Sequence, residues 1–199
     1  MNQVPRGRGQ LLLLAALFFG PLVAAVLLYF VFPQFQPQGR TNYGELIDPA
    51  RPLPALALVD ADGKALDREA LRGRWTYLYL GGERCDAVCA NKLFQFRQIR
   101  TLLNEKRMRV QRVYLAPDAA ALPALREQLG ATHPDLQLYA ESAAPVLRAF
   151  LQAGGPARDP QSVYLIDPLG NWLMVYPAEV DYRKVLDDIK KLLRISQIG

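Results

Sequence analysis

The chain has 199 residues, of which 51% are hydrophobic and 22% charged, and its net charge is +5. This length accommodates one domain plus an appendage, and a composition so close to the globular average argues against disorder. The basic residues are spread along the chain and interleaved with acids, which excludes a nucleic-acid-binding patch. Two cysteines and one histidine are too few for a disulfide-rich scaffold or a His-rich catalytic metal site.

The first predicted element is an apolar run without charges at residues 11–32. A helix needs about 20 apolar residues to cross the hydrocarbon core of a bilayer, and this run is long enough. A cleavable signal peptide is the alternative, but its apolar core is usually about 7–15 residues long and a small-residue cleavage site follows it. We therefore predict a retained transmembrane anchor at 11–32, preceded by a tail at 1–10.

The basic residues around the anchor predict its orientation. Arg6 and Arg8 precede the run, and the next basic residue after it is Arg40. Because positive charge favours the cytoplasmic side, the tail is predicted in the cytoplasm and the rest on the far side. In a bacterium this describes a single-pass protein of the inner membrane with its domain in the periplasm. That compartment is oxidising, so two cysteines there can form a disulfide.

The remainder is predicted as a Pro-rich tether at residues 33–52 and one folded domain at 53–199. Apolar periodicity predicts strands at 55–59, 75–80, 110–116, 136–140, 163–166 and 172–176, and helices at 86–106, 118–129, 144–152 and 180–195. Strands that alternate with helices indicate an α/β fold with a mainly parallel sheet covered on both faces. The closing hairpin and final helix are typical of a thioredoxin-like sheet.

Cys85 and Cys89 lie between the strand predicted at 75–80 and the helix after it, at the sheet edge where α/β proteins bind ligands. If both lie in the first helical turn, they share one face with Cα atoms about 6 Å apart, within disulfide range. The helix N-terminus and Arg84 favour thiolate, whereas Asp86 opposes it. Such a pair can form a reversible disulfide or bind Cu(I). A structural bridge and two incidental thiols are the alternatives, although so short a bridge removes little loop entropy.

Several of these features together resemble the SCO/SenC family. They are the anchor, the tether, the LxDxDG sequence at 58–63, the CxxxC at the strand-to-helix turn and the YLIDPLG sequence at 164–170. The segment TNYGEL at 41–46, with CDAVC at 85–89, is similar to a divergent SCO-like group encoded among bacterial oxidase assembly genes. The resemblance covers about residues 53–195. It implies a membrane-tethered thioredoxin fold that serves the assembly of cytochrome c oxidase.

The resemblance also implies a site. In SCO proteins two cysteines and one histidine bind copper for delivery to the dinuclear copper centre of oxidase subunit II, and the thiols can reduce cysteines of that subunit. Cys85 and Cys89 match the two thiol ligands. About five residues before Tyr164, where the family has its histidine, this chain has Asp159. A carboxylate is a hard ligand and a weak replacement for imidazole on Cu(I).

Other polar residues are predicted away from this chemistry. His133 precedes the strand at 136–140 and is predicted as a loop residue at the sheet edge opposite the cysteines. Pro160 lies near the cis-proline position of thioredoxin-like reductases, and both a cis bond and an ordinary turn stay open. The charged residues of the helix at 86–106 are predicted to be solvated, with an acidic partner as the alternative: Lys92, Arg97 and Arg100. Those of the last helix are predicted to be surface charges: Asp187, Asp188, Lys190 and Lys191.

Three functions are compatible with these sequence features. In the first, the protein is a membrane-anchored thiol–disulfide oxidoreductase, in which Cys85, as the more exposed thiol, attacks a client disulfide and Cys89 resolves the mixed disulfide. The second is a Cu(I) carrier that uses the same dithiolate, and the third is an assembly scaffold without chemistry. The predicted partners are a respiratory oxidase subunit or other assembly factors.

Overall fold

The computed structural model describes residues 6–31, 42–154 and 159–198. The chain divides into two compact units, Met1–Thr41 and Asn42–Gly199. In the first unit a single helix, α1 (Arg6–Phe30), contains a segment from Gly9 to Phe30 that is long and apolar enough to cross a membrane. The helix agrees with the apolar run predicted at 11–32, whereas residues 33–41 of the predicted tether lie outside the described residues.

The second unit is built on one sheet flanked by helices. Its strands are β1 (Glu45–Pro52), β2 (Ala57–Asp60), β3 (Ala65–Asp67), β4 (Trp75–Leu80), β5 (Val110–Ala116), β6 (Leu136–Glu141), β7 (Val163–Ile166) and β8 (Asn171–Tyr176). Its helices are α2 (Ala87–Leu102), α3 (Leu122–Leu129), α4 (Val146–Gly154) and α5 (Tyr182–Ile195), and short 3₁₀ turns occur at Arg68–Leu71, Asn104–Arg109 and Ala119–Ala121. The strand order is β1-β8-β7-β4-β5-β6-β2-β3.

The sheet is mixed, so the expectation of a mainly parallel sheet is wrong. Among the described strands only β4 with β5 and β5 with β6 are parallel, and these are joined through α2 and α3. Strands β2 and β3, and likewise β7 and β8, follow each other through short connections and therefore pair antiparallel. The two central strands are buried at every position, because helices cover both faces of the sheet.

Alternation along β4 divides the core into two layers. Trp75, Tyr77 and Tyr79 face a cluster that includes the buried sides of α2, α3 and α5. Leu78 and Leu80 face the opposite cluster, which includes the buried side of α4. Because successive side chains of a strand point to opposite faces, this single strand fixes the position of both helix layers.

The boundary between tether and domain differs from the sequence-based expectation. Residues 45–52, predicted as tether, form β1, which pairs antiparallel with β8 from Glu45↔Val175 to Pro52↔Asn171. The pairing shifts register between Leu46 and Arg51. An edge strand tolerates prolines and irregular pairing because one of its sides needs no hydrogen-bond donors. The compact unit accordingly begins at Asn42, eleven residues before the predicted boundary.

Asp188 of α5 holds this first part of the domain in place. Its carboxylate accepts hydrogen bonds from the backbone N–H groups of Tyr43 and Gly44, both at 2.9 Å. Asp188 is buried, and burial raises the pKa of its carboxyl group. The prediction of a solvated surface charge is wrong, because Asp188 lies three residues after Val185, on the same buried side of α5.

A domain that starts at residue 53 should be less stable than one that starts at residue 42. The shorter fragment lacks β1, loses the buried side chain of Ile47 and leaves Asp188 without its two N–H donors. Loss of the isoleucine contact alone predicts a decrease of about 1.5–3 kcal/mol in the free energy of unfolding. Urea unfolding of the two fragments measures the difference, and equal unfolding midpoints would contradict the assignment of β1 to the domain.

Candidate functional site

The parallel strands β4, β5 and β6 end at one edge of the sheet, here called the carboxyl edge. The cysteine loop, residues 81–86, follows β4 at this edge. Strand β7 begins there, because Val163 pairs with Tyr79 near the end of β4. The turn at Asp159–Ser162 therefore lies at the same edge as the cysteine loop.

The two cysteines form a disulfide with their Cα atoms 5.2 Å apart, as their spacing allows. Cys89 lies in the first turn of α2, but Cys85 precedes the N-cap residue Asp86, so only one of the pair is helical. Asp86 accepts a hydrogen bond from the backbone N–H of Cys89 at 2.8 Å. Both residues are buried, at 6% exposure for Cys85 and 4% for Cys89, so Cys85 is the more exposed of the two only by a small margin.

The glycines that open the cysteine loop are held by side chains from β5 and α4. Tyr114 donates its hydroxyl hydrogen bond to the carbonyl oxygen of Gly82 at 2.8 Å, and burial is the main cause that raises the pKa of this tyrosine to about 12. Arg148 donates to the carbonyl oxygens of Gly81 and Leu115, both at 2.8 Å. A Cβ at position 81 would overlap the Tyr114 ring, so this position accommodates only a glycine.

The second half of the loop is held by Gln128 in the last turn of α3. The backbone N–H of Cys85 donates to Oε1 of Gln128 at 3.0 Å, and Nε2 of Gln128 donates to the carbonyl oxygen of Cys85 at 2.6 Å. Sequence patterns did not predict a role for this residue, because the two partners lie 43 positions apart and nothing in the local pattern marks the glutamine. The Gly81-Gly82 pair after a buried strand was the local signal that could have marked the loop.

Asp159 lies at the carboxyl edge, where electrostatic interactions link it to neighbouring side chains. Burial first, and then the charges of Asp86 and Asp159, raise the pKa of Tyr79. Burial lowers the pKa of the Lys92 ammonium group, and the charge of Asp159 opposes that change. Lys92 is buried and donates to the carbonyl oxygen of Ala178, so the prediction of a solvated lysine is wrong.

The donor set predicted from the sequence consists of two soft sulfur atoms and one hard carboxylate, that of Asp159. Across the described ranges, no three His, Cys, Asp or Glu side chains lie close enough together to hold a metal ion. When reduced, the sulfurs of Cys85 and Cys89 suit Cu(I), and Asp159 does not complete a three-ligand group with them. The metal-ligand role of Asp159 stays a prediction without geometric support.

Two further basic residues of α2 also bind within the domain. Arg97 donates to the carbonyl oxygen of Thr132 at 2.8 Å, and Arg100 forms an ion pair with Asp135 at 3.2 Å. The predicted solvated face, with an acidic partner as its alternative, is therefore wrong for Arg100. Its side chain is only 19% exposed because it packs beside Asp135, which also pairs with the buried Arg112.

His133 and Pro160 occupy the positions that the sequence favoured. His133 lies in the connection between α3 and β6, at the amino end of β6 and thus at the edge opposite the cysteines. It is buried, and burial followed by the charges of Arg112 and Arg97 lowers its pKa. Pro160 lies in a turn, and the cis peptide bond found in the described part of the chain precedes Pro49 instead.

Comparison with known families places both units of the chain. A family model described as a transmembrane-like, thioredoxin-like C-terminal domain matches residues 75–196, and one described as a transmembrane-like N-terminal domain matches residues 2–31. The chain belongs to this transmembrane-like, thioredoxin-like family. A relative from Stutzerimonas stutzeri, provisionally named a copper-binding protein, is 33% identical over 76 residues, or 38% of this chain. The match spans 37% of the length of that relative.

Solved structures show the same fold at low sequence identity. Yeast Sco1 with copper bound is 19% identical, with a TM-score of 0.61 over 73% of this chain and 94% of that one. BsSco, described as a member of the Sco family of cytochrome c oxidase assembly proteins with a disulfide switch, is 15% identical. Its TM-score is 0.56 over 76% of this chain and 99% of that one. The predicted SCO/SenC-like, thioredoxin-like fold is confirmed.

Substitution of Gly81 by alanine should destabilise the domain. The added methyl group would overlap the ring of Tyr114, and such overpacking typically costs about 1–3 kcal/mol. Gly82→Ala is the matched control, because a Cβ there meets only the carbonyl oxygen of Arg84 at an ordinary 3.5 Å. Urea unfolding should separate the two variants, and equal stability of Gly81→Ala and Gly82→Ala would contradict the predicted packing.

His133 should make the domain less stable in mild acid. Its native pKa is lowered, whereas the unfolded chain takes up the proton near pH 6.5, so the unfolded state binds more protons below that value. The free energy of unfolding should therefore fall as the pH is lowered from about 8 to about 5. In His133→Gln this fall should be smaller, and an identical pH dependence of the two proteins would contradict the lowered pKa.

Proposed function

We propose that this protein is a membrane-anchored thiol–disulfide oxidoreductase that assists the assembly of the copper centre of cytochrome c oxidase. The observation that carries the proposal is the Cys85–Cys89 disulfide at the carboxyl edge of a Sco-like fold. The likeness to BsSco, described as an oxidase assembly protein with a disulfide switch, supports it.

A purely structural bridge is a weak alternative. The disulfide links residues separated by four positions, and so short a loop loses little entropy on closure. The cysteine loop is already held by hydrogen bonds from Tyr114, Arg148 and Gln128. A disulfide that adds little to stability is better explained by a reactive role than by a structural one.

The reaction proceeds by thiol–disulfide exchange. The Cys85 thiolate attacks one sulfur of a client disulfide, the client S–S bond breaks, and the other client sulfur leaves as a thiolate that takes up a proton. Cys89 then attacks the sulfur of Cys85, which releases the reduced client and leaves the Cys85–Cys89 disulfide. Two electrons thus pass from the pair to the client, and an external dithiol must restore the pair. The N-terminus of α2 stabilises the Cys89 thiolate, and the exposed Arg84 supplies a cation beside Cys85.

The proposed location follows from the anchor. One helix suited to a membrane precedes the domain, and the N-terminal family model matches that region. Arg6 and Arg8 before the helix favour a cytoplasmic N-terminus. The domain would then lie in the periplasm of a bacterial host, where an oxidising environment maintains the disulfide.

Cu(I) carriage by the reduced dithiolate is the second candidate function. It is favoured by the copper-bound state of yeast Sco1 and by the name of the Stutzerimonas stutzeri relative. The sulfurs of Cys85 and Cys89 would hold the ion as cargo for an oxidase subunit or another assembly factor. The buried Lys92 near Asp159 weakens this candidate, because a cation close to the carboxylate opposes its use as a further copper ligand.

Cys85→Ser should lower cytochrome c oxidase activity in the host several-fold, because it removes the attacking thiol. Ala90→Ser is the matched control, since it places the same hydroxyl group on an exposed position of α2. Oxidase activity of isolated membranes at equal protein levels provides the measurement. Unchanged activity in Cys85→Ser would contradict the redox role, and unchanged activity also in Cys89→Ser would favour a scaffold without chemistry.

The redox proposal predicts that the reduced protein does not bind Cu(I) tightly. An anaerobic titration against a competing Cu(I) chelator, with Cys85→Ser/Cys89→Ser as the control, measures this affinity. The expected result is that the chelator removes Cu(I) from the reduced protein, because the two sulfurs have no third His, Cys, Asp or Glu ligand grouped with them in the described residues. One tightly bound ion per chain, lost in the double variant, would favour copper carriage instead.

A further inference from the structure

We propose that Gln128 is a positioning residue for the dithiol, holding the backbone of Cys85 beside Cys89 and thereby lowering the reduction potential of the pair. The inference rests on the thiol–disulfide chemistry of the proposed function. It assigns a role in that chemistry to a residue of a different helix, far from the CxxxC sequence.

The contact is a two-point clamp from one planar group. The carboxamide of Gln128 accepts from the N–H of Cys85 at 3.0 Å and donates to its carbonyl oxygen at 2.6 Å. Two bonds in opposite directions fix the position and the orientation of the Cys85 backbone, whereas a single bond would leave rotation about its axis. Both donor–acceptor distances are within hydrogen-bonding range.

Cys85 depends on this clamp because the helix does not include it. Cys89 is held by the first turn of α2 and by the bond from its N–H to Asp86. Cys85 lies before the N-cap, and its two preceding neighbours, Glu83 and Arg84, are exposed. Between the Gly82 carbonyl held by Tyr114 and the start of α2, the two bonds of Gln128 thus hold the backbone of the loop.

The helix that carries Gln128 is itself fixed to the sheet. Leu122, Leu125 and Leu129 of α3 are buried, and Leu125 and Leu129 flank the glutamine on the core side. The glutamine is exposed, so it can be replaced without creating a cavity in the core. Substitution of Gln128 should therefore remove its two hydrogen bonds to Cys85 without disturbing the packing of α3.

The clamp acts on the equilibrium between dithiol and disulfide. Reduction breaks the S–S bond, takes up two electrons and two protons from an external dithiol such as dithiothreitol, and leaves two thiols. A Cys85 backbone held close to Cys89 keeps the effective concentration of the two sulfurs high, which favours the disulfide. Without the clamp, Cys85 samples positions from which its sulfur does not reach Cys89, so the disulfide becomes easier to reduce.

The test is a redox titration of the purified full chain in detergent, in thiol buffers of graded potential, with quantification of alkylated cysteines. Gln128→Ala should shift the equilibrium three- to tenfold toward the dithiol, a change of about 14 to 30 mV to more positive potential, since tenfold corresponds to about 30 mV. Glu127→Ala is the matched control, because Glu127 is an exposed neighbour on α3 that makes neither bond to Cys85. Its potential should equal that of the unmodified protein.

Gln128→Glu extends the test with a side chain of nearly the same size. It retains an acceptor for the Cys85 N–H but sets a carboxylate oxygen against the Cys85 carbonyl oxygen, so its potential should also move to more positive values. If Gln128→Ala does not unfold cooperatively, Gln128→Glu decides the question. An unchanged or more negative potential in the folded variants would overturn the proposal.

The redox titration of the Gln128 variants and the oxidase assay of the proposed function have independent outcomes. The potential is measured on the isolated protein, whereas the oxidase role is measured by the activity of host membranes. A shifted potential in Gln128→Ala together with normal oxidase activity in Cys85→Ser would refute the oxidase role and leave the clamp intact. The converse pair of results would refute the clamp alone.

Discussion

The chemistry of this domain depends on how the cysteine loop is held at the carboxyl edge of the sheet. The loop leaves the buried strand β4 and reaches α2 through backbone groups that bind side chains of three other elements: Tyr114 of β5, Gln128 of α3 and Arg148 of α4. Each of these elements is anchored in the hydrophobic core, so the core fixes the position of the cysteine loop. The proposed redox pair is thus held by contacts of the surrounding loop as well as by its own disulfide.

The charges around the pair help to distinguish redox chemistry from metal binding. Cu(I) prefers soft donors, and the described part of the carboxyl edge offers two sulfurs but no third His, Cys, Asp or Glu side chain grouped with them. The residue at the position of the family's histidine is Asp159, and the buried Lys92 lies close enough to interact with its charge. Both residues make the edge less suited to copper and favour a site where only the two sulfurs react.

Local patterns in the sequence predicted much of the fold, and long-range contacts account for what they missed. Strand β7 has the predicted bounds because it is a continuous apolar run, and β5 has them because five of its seven residues are apolar. Strand β1 was missed because prolines and a register shift hide its periodicity. The CxxxC position was predictable from its place between strand and helix. The roles of Gln128 and Asp188 were not, since each binds backbone groups more than 40 positions away.

The central claim is that Cys85 exchanges disulfides with a client protein and that Cys89 resolves the intermediate. The most direct measurement is to express Cys89→Ser in the host, trap free thiols with acid and alkylating agent, and separate membrane proteins on a non-reducing gel. The account predicts a dithiothreitol-sensitive adduct of this chain with a cysteine-containing protein, present in Cys89→Ser and absent in Cys85→Ser/Cys89→Ser. No adduct in Cys89→Ser, or the same adduct in the double variant, would contradict it.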